Sequence, residues 1–395
     1  MTRVSYITCT RNRREELTRT ILTLDALHKD APNDAEFVIA DNASDKPITD
    51  WLPDTGMTVR VVRLDTNKAA AARNDAAETA KHDWLVMLDD DSAPKGLGHL
   101  QAIARAGERT AAIMADITLP DGSRERGGLP EVLVGCGAAV RRSAYLDVGG
   151  YDPSFHFAAE EPDLCAKLIS AGWHLEFDPW FRVLHHKTPA NRDLNRMLRL
   201  LTRNQGVIIE RTTPDADRRF LRNDHIRRCH WIAAKESALE GFAQGLAEFR
   251  AMRSGIDRRP MTQAHFDRFV GLHHAREAMR YAMETHPFDT ACLSHEGKHA
   301  WAVRRAIEET GATIIDSPLH ADRLVVATLS PGPMLDALAE LHSVGMGYRT
   351  IAPWTKAPSI LGFEADAFPL MPSLLSRPNA PATKDAAPAP TRIRA

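Results

Sequence analysis

Short apolar runs alternate with helix-like segments through the first 120 residues of the chain. The apolar runs have strand length and end in polar residues or turn formers, and the segments between them carry apolar residues at helical spacing. The predicted strands are 4–10, 36–44, 58–65 and 83–91, and the predicted helices are 13–27 and 69–80. Strands that alternate with helices predict βαβ units, and hence a largely parallel sheet with helices on both faces.

The remainder of the chain has three further parts. The pattern loosens after residue 120, stays mostly helical to residue 285, and then returns to strand–helix alternation. We therefore predict an α/β protein made of an α/β domain over 1–212, a helical linker over 213–285, a smaller Rossmann-like α/β module over 286–358, and a Pro- and Ala-rich tail over 359–395. The tail is too poor in apolar residues to pack, and we expect it to be disordered.

The small module lacks a dinucleotide-binding fingerprint. Its segment SHEGKHAW has one glycine, Gly297, where that fingerprint needs three for the turn, the approach of the pyrophosphate and the packing of the helix. We therefore expect the module to be structural or to contact a partner.

Composition narrows the class of function. The 395 residues carry a formal net charge of -2, so nothing draws the chain as a whole toward nucleic acid. The five cysteines are widely spaced without a C-x-x-C pair, which argues against a disulfide framework or structural zinc and favours a reducing compartment. The sequence has no signal-peptide pattern and no apolar run of about 20 residues. We expect a cytoplasmic protein, and peripheral contact with the inner face of the membrane stays open.

Three aspartates follow the fourth predicted strand directly, in the segment WLVMLDDDSAP. Like charges this close destabilise one another unless a cation or hydrogen-bond donors offset them. Asp89 and Asp91 flank Asp90 on an extended backbone, so their side chains share a direction that suits Mg²⁺ or Mn²⁺. The alternative is a solvated turn in which Asp91 or Ser92 caps a helix.

Polar residues also end the other early strands, where ligands bind in parallel α/β sheets. Thr10 ends the first strand, and Asp41 with Asn42 ends the second, in position to hydrogen-bond the base or ribose of a nucleotide. Arg73, on the helix before the aspartates, is in position to reach a diphosphate. The alternatives are an Asx-type turn at Asp41 and an ordinary surface arginine at Arg73.

Two later clusters supply candidates for proton transfer and metal binding. The segment AAEEPDL places Glu160, Glu161 and Asp163 near a predicted helix start, where a carboxylate can take a proton from an acceptor hydroxyl or simply favour the helix dipole. His185 and His186 follow an extended run and are either metal ligands or polar surface.

These pieces, in this order, resemble family-two glycosyltransferases with the GT-A nucleotide-sugar fold, rhamnosyltransferase-like and with a C-terminal extension. The resemblance covers roughly residues 2–205. It rests on VSYITCTRN, EFVIADNASD, NKAAAARNDAAETAKHDWLVMLDDDSAP and GCGAAVRRSAYLDVGGYDPSFHFAAEEPDLCAKLISAGW. It implies a nucleotide-diphosphate sugar donor, a Mn²⁺ or Mg²⁺ cofactor, and a glycan or lipid-linked acceptor in envelope glycan or polysaccharide synthesis.

The resemblance also implies roles for the donor-side residues. Asp41 then contacts the nucleotide base, Arg73 helps to hold the nucleotide, and Asp89 lies on the ribose and metal side. Asp91 ligates the metal, and His185 or His186 matches a histidine that can bind the metal or the diphosphate.

On the acceptor side, the resemblance gives Glu161 the place of the catalytic base and Asp163 the following acidic position. Deprotonation of the acceptor hydroxyl and one displacement then invert the anomeric centre. Two departures are visible: the usual Glu-Asp pair is Glu160-Glu161, and the usual Asn-x-Gly turn ends in Ala69.

Three other functions compete with this interpretation. A phosphohydrolase with an aspartyl nucleophile would normally carry its Asp-x-Asp after the first strand. A sugar nucleotidyltransferase would want glycines in the loop after the first strand, and TRNRREE has none. A nucleotide-sugar binding protein without turnover is supported only by the two departures.

Overall fold

The structure is a computed structural model that describes residues 2–30, 35–187 and 193–354. The predicted tail, 359–395, lies outside the described residues, as do the last four positions predicted for the small module, 355–358. Within the described ranges, no helix is both long and apolar enough to cross a lipid bilayer.

An eight-stranded mixed sheet forms the first part of the protein. Its strands are β1 (Val4–Thr10), β2 (Ala35–Asp41), β3 (Thr58–Arg63), β4 (Trp84–Met87), β5 (Ser92–Pro94), β6 (Thr110–Thr118), β7 (Ala138–Arg141) and β8 (His174–His185). The strand order is β3-β2-β1-β4-β7-β6-β8-β5. The first four strands in that order are parallel, β7 runs antiparallel to both neighbours, β6 and β8 are parallel, and β5 is antiparallel to β8. The predicted α/β class is confirmed.

Helices cover both faces of this sheet. Successive residues of a strand point to opposite faces, so a strand that is apolar throughout needs helices on both sides to bury its side chains. The helices are α1 (Arg14–Leu27), α2 (Ala72–Thr79), α3 (Gly98–Arg105), α4 (Arg142–Asp147) and α5 (Glu160–Ser170). On β1, Tyr6 belongs to the same buried cluster as Ile21 of α1. The next residue, Ile7, belongs to the cluster of Ala76 on α2 and Leu164 on α5.

The second half begins with helices and ends in a small sheet. The helices are α6 (Leu194–Thr212), α7 (Asp215–Lys235), α8 (Leu239–Met252), α9 (Gln263–Phe269) and α10 (Leu272–Thr285). The small module contains β9 (Thr290–Ser294), α11 (Ala300–Glu308), β10 (Thr313–Ile314), β11 (Arg323–Val326), α12 (Pro331–Ser343) and β12 (Thr350–Ile351). Its strands are all parallel in the order β10-β9-β11-β12, which agrees with the predicted Rossmann-like pattern.

The small module packs against the loop that follows β6. Arg124 of this loop is buried and pairs with Asp116 and with Asp336 of α12, each at 2.8 Å. The hydroxyl of Ser330 donates to the carbonyls of Arg126 (3.1 Å) and Gly127 (2.5 Å). The start of α12 therefore holds the segment 124–127, which carries a residue of the site described below.

The sequence prediction missed two strands of the large sheet, β5 and β6, and the helix α3 between them. The strand β6 is buried along nearly its whole length, so its sequence TAAIMADIT lacks the alternation that marks a half-exposed strand. The fourth predicted strand was also too long. It ends at Met87, so the three aspartates form a turn beyond it.

Candidate active site

The three aspartates lie beside the carboxyl end of β1, because β1 and β4 are parallel neighbours. Asp90 points into the protein, where it accepts a hydrogen bond from the Thr10 hydroxyl at 2.6 Å and lies 3.3 Å from Arg13. Burial raises the pKa of Asp90 to about 7. Thr10, predicted to bind the donor, thus fixes the turn that presents the other two aspartates.

Asp89 and Arg73 form an ion pair at this sheet edge. Arg73 is buried, and its Nη2 lies 2.5 Å from Asp89 Oδ1 and 2.9 Å from the carbonyl of Leu88. The Asp89 side chain is 39% exposed, so it remains accessible to a ligand. The Arg73 Nε is buried and has no hydrogen-bond partner among the described residues. A buried N–H of this kind is costly unless a ligand takes it up.

Asp91 connects the aspartate turn to His185. Its Oδ2 accepts from Arg13 at 2.6 Å, and its Oδ1 lies 3.2 Å from His185 Nε2. The same nitrogen is 3.7 Å from Asp89 Oδ2. Burial opposes ionisation of Asp91, but hydrogen bonds from His185 and Arg13 outweigh it and hold its pKa well below the ordinary value. The contact of His186 with the aspartate turn is made by its backbone, whose N–H donates to the Asp91 carbonyl.

Glu125 fixes the orientation of His185 from the other side of the ring. Its Oε2 lies 3.1 Å from His185 Nδ1, while its Oε1 accepts from Lys187 at 2.6 Å. An imidazole whose Nδ1–H donates to a carboxylate presents Nε2 as its free electron pair, as metal-bound histidines do. Burial would lower the pKa of His185, but hydrogen bonds to Asp91, Cys136 and Glu125 raise it to about 12, so a cation at Nε2 must displace a proton.

A sulfur donor lies with these groups. Asp89, Cys136 and His185 bring one oxygen, one sulfur and one nitrogen within 4.8 Å of one another. Oxygen, nitrogen and sulfur donors at this spacing, with a carboxylate behind the histidine, suit a divalent cation. The sequence analysis identified Asp89 and His185 but neither Cys136 nor Glu125. The cysteine between two glycines in GCG is the only signal that could have pointed to it.

Two glutamates at the start of α5 face the same site. Glu160 is nine-tenths buried, and its Oε2 has no hydrogen-bond partner in the described structure. Glu161 Oε1 accepts from the backbone N–H of Gly135 at 3.2 Å. Burial raises the pKa of both carboxyls, and the charges of Arg73 and Asp89 act on both. The paired glutamates and the aspartate edge therefore share one electrostatic environment.

An unusual loop leads into these glutamates. His156, Ala158 and Ala159 all adopt left-handed backbone conformations, with φ of 57°, 64° and 82°. Asn204, fully buried on α6, donates its side-chain amide to the carbonyls of Phe155, Phe157 and Ala158 at 2.8–2.9 Å. Strained backbone of this kind persists only when its surroundings hold it.

Asp163 differs from the glutamates in its surroundings. It is buried, with Oδ1 2.9 Å from Arg211 and Oδ2 3.0 Å from Lys167. Both its oxygens face cations of the protein itself.

Asp41 and Asn42, predicted to contact the nucleotide, are also engaged within the protein. Asp41 accepts from the backbone of Ser44 and Ile48 and pairs with Arg63. Asn42 bridges the next turn, accepting from the N–H of Lys68 at 2.7 Å and donating to the carbonyl of Ala69 at 3.0 Å. Ala69, which stands where the resemblance expects glycine, has a φ of 51°. The turn thus keeps its left-handed geometry without the glycine that favours it.

Comparison with known proteins shows a family likeness for the part of the chain that contains the aspartate turn. The family model of Glycosyl transferase family 2 matches residues 5–132. This part of the chain is similar to family 2 glycosyltransferases. The match covers β1 to β6 and the aspartate turn, and stops before the glutamates of α5.

Two curated relatives extend the likeness. A pre-mycofactocin glycosyltransferase of Mycobacterium tuberculosis is 28% identical over 215 residues, which cover 48% of this chain and 44% of the relative. An N-acetylglucosaminyl-diphospho-decaprenol L-rhamnosyltransferase of the same organism is 30% identical over 154 residues, covering 29% of this chain and 50% of the relative. The chain spans about half the length of the curated relatives it matches.

Solved glycosyltransferase structures show a weaker likeness. The mannosyltransferase PcManGT from Pyrobaculum calidifontis, in complex with GDP-Man and Mn²⁺, has 14% identity and a TM-score of 0.43, with coverage of 72% of this chain and 83% of that one. S. aureus TarS 1-349 in complex with UDP-GlcNAc has 12% identity and a TM-score of 0.47, with coverage of 79% and 93%. These scores are too low to carry a functional argument.

Proposed function

We propose that the chain is a metal-dependent, inverting glycosyltransferase that moves a sugar from a nucleoside-diphosphate donor to a hydroxyl group. The observation that supports this best is the shared environment of two groups. One is the aspartate edge with Arg73 and His185, and the other is the glutamate pair at the start of α5. A donor diphosphate needs the first group, and an acceptor hydroxyl needs the second.

The donor-side residues have the chemistry to bind a diphosphate. Asp89, Asp91 and His185 would hold the cation, which when bound neutralises charge on the leaving diphosphate. Arg73 offers its unpartnered Nε–H to a phosphate oxygen, while its Nη2 stays fixed by Asp89. Preorganised donors of this kind stabilise developing charge without reorganising during the reaction.

Glu161 is the proposed general base. Its raised pKa brings the carboxylate closer to the operating pH, where a base is most effective. It takes the proton of the acceptor hydroxyl as the oxygen forms a bond to the anomeric carbon. The bond from that carbon to the diphosphate breaks on the opposite face, so the configuration inverts.

The proposed acceptor class is drawn from a curated relative. It is supported by the curated relative named as a rhamnosyltransferase for a diphospho-decaprenol-linked sugar. We propose a glycan or lipid-linked acceptor in envelope glycan synthesis, met at the cytoplasmic face of the membrane.

A donor screen tests the proposal. The full-length protein is incubated with a panel of nucleotide sugars and Mn²⁺, with and without candidate acceptors, and release of nucleoside diphosphate is measured. We expect one donor to be consumed, faster with acceptor present and not at all after chelation. Tight donor binding without turnover would instead favour the nucleotide-sugar binding protein.

Two variants test the assigned roles. Glu161→Gln should abolish transfer while donor affinity remains, because the amide cannot accept the proton. Asp91→Ala should remove metal-dependent donor hydrolysis. Transfer retained in the first variant would move the base to Glu160 or Asp163, and hydrolysis retained in the second would exclude Asp91 from the metal site.

A further inference from the structure

Cys136 occupies a position that the reaction as proposed above does not use. It is 3% exposed and precedes β7, and its thiol is free of any disulfide. Its sulfur is one of the three donor atoms that lie within 4.8 Å of one another, with an Asp89 oxygen and a His185 nitrogen. A buried free cysteine far from acidic and imidazole groups would need no explanation, but this one lies among them.

The backbone around Cys136 is tied to that of Asp89 by one side chain. The hydroxyl of Ser92 donates to the Cys136 carbonyl at 2.8 Å, and its oxygen accepts the N–H of Asp89 at 2.9 Å. Ser92 is 1% exposed. The backbone segments that carry the carboxylate and the thiol are therefore held next to each other by the protein itself.

The two glycines that flank Cys136 are closely packed. At Gly137 a Cβ would lie 2.8 Å from the side chain of Ile117, and at Gly135 it would lie 3.1 Å from Glu161 Oε1. Both distances are shorter than ordinary contacts, so the chain on either side of Cys136 lies against Ile117 and Glu161 with no room for a side chain unless these neighbours move.

We propose that Cys136 is a ligand of the metal at this site, adding a thiolate to the carboxylates of Asp89 and Asp91 and the imidazole of His185. This inference rests on the metal site of the proposed function and adds a donor to it. On binding, the thiol and the His185 Nε2–H would each release one proton to solvent, and the sulfur and nitrogen lone pairs would then be available to the cation.

A sulfur ligand changes which cation the site prefers. Thiolate and imidazole donors favour Co²⁺ and Zn²⁺, whereas Mg²⁺ is held by oxygen donors and water. The site therefore binds Co²⁺ and Zn²⁺ in preference to Mg²⁺, although Asp89 and Asp91 alone would suit Mg²⁺. Selectivity between these ions distinguishes the proposal from an Asp-x-Asp site without sulfur.

Cobalt spectroscopy tests the ligand directly. The full-length, metal-free protein is titrated with Co²⁺ under reducing conditions, and absorbance and proton release are recorded. We expect one equivalent of Co²⁺ to produce a near-ultraviolet thiolate-to-cobalt charge-transfer band as well as visible d–d bands. In Cys136→Ser the charge-transfer band should disappear and Co²⁺ affinity should fall at least about tenfold, with Mg²⁺ affinity little changed.

Cys229→Ser is the matched control, because Cys229 is equally buried but lies on α7 beside His225. It should keep the charge-transfer band. Wild-type d–d bands without a charge-transfer band would overturn the assignment of Cys136 and leave the metal dependence of the reaction standing. Absence of any Co²⁺ binding would overturn both. If Cys136→Ser does not fold, the charge-transfer band of the wild-type protein and of Cys229→Ser still decides.

Discussion

Asn204 provides the sharpest test of how the site is held together. The three left-handed residues before Glu160 cost about 1–2 kcal/mol each, or about 3–6 kcal/mol in total. The Asn204 amide opposes this cost through its hydrogen bonds to three carbonyls of the loop. Each bond contributes about 0.5–1.5 kcal/mol. The two quantities are similar, so we expect the loop conformation to depend on this one side chain.

Asn204→Ala should therefore release the loop. Two buried amide hydrogens are lost and three carbonyls lose their donor, and each unsatisfied buried group costs about 1–3 kcal/mol. Relaxation of 156–159 would move Glu160 and Glu161 relative to Asp89. A displacement of about 1 Å can lower a rate about 100-fold. We expect kcat for transfer to fall at least about tenfold, with metal affinity unchanged because Asp89 and His185 are on other elements.

Two measurements check this result. Hydrogen–deuterium exchange should increase in peptides that span 155–160, independently of any activity, and steady-state kinetics should show the loss in kcat. The control is Asn195→Ala on the same helix, whose side chain accepts a hydrogen bond from Gly241 of α8. Unchanged exchange at 155–160 in Asn204→Ala, or an equal fall in kcat in the control, would refute the reasoning.

Three further predictions concern single positions. Ala69→Gly should raise the thermal unfolding temperature slightly, because glycine removes the strain of about 1–2 kcal/mol at a φ of 51° and costs about 1 kcal/mol in chain entropy. A lower unfolding temperature would mean that packing of the Ala69 methyl group stabilises the turn. Burial and the charge of Glu161 raise the pKa of Glu160 to about 8, so Glu160 is still protonated where Glu161 loses its proton; Glu160→Gln should leave the acid limb of the pH–rate profile in place, and a limb that moves to lower pH would mean that the two carboxyls share this titration. Burial raises the pKa of Asp90 to about 7, so the folded protein binds the extra proton and loses stability as pH rises from about 4 to 7. The unfolding temperature of Asp90→Asn should vary less over that range, and an equal slope would place the titration elsewhere.

The edge of the sheet where the site lies was predictable from the sequence. Polar residues followed β1, β2 and β4, and parallel strands bring their carboxyl ends to one edge. The approach of His185 to Asp91 was not predictable from spacing, because 94 positions of chain do not define a contact. It follows from the pairing of β5 with β8, in which Ser92 lies opposite His185. A strand of three residues leaves no pattern in the sequence.

The supporting residues were harder to predict than the acidic motifs. The sequence around Glu125 predicts only a polar loop. Glu125 matters to the site because it contacts the imidazole of His185, which lies 60 positions later in the chain. Asn204 lies in a helix whose apolar pattern predicts packing and nothing more. Hydrogen bonds to backbone carbonyls depend on the geometry of another segment, and no local pattern encodes that geometry. The same is true of Ser92 and Cys136.

The small module contacts the segment of the large domain that carries Glu125. In a nucleotide-binding Rossmann unit, the turn from strand to helix leaves room for phosphate at the helix N-terminus. Here the turn into α12 is filled by the large domain. A Cβ on Gly332 would lie 2.2 Å from the Glu125 carbonyl oxygen, and Asp336 pairs with Arg124. Glu125 therefore lies against α12 with its backbone and against His185 with its side chain, so the start of α12 and the aspartate edge are separated by one residue of the loop after β6.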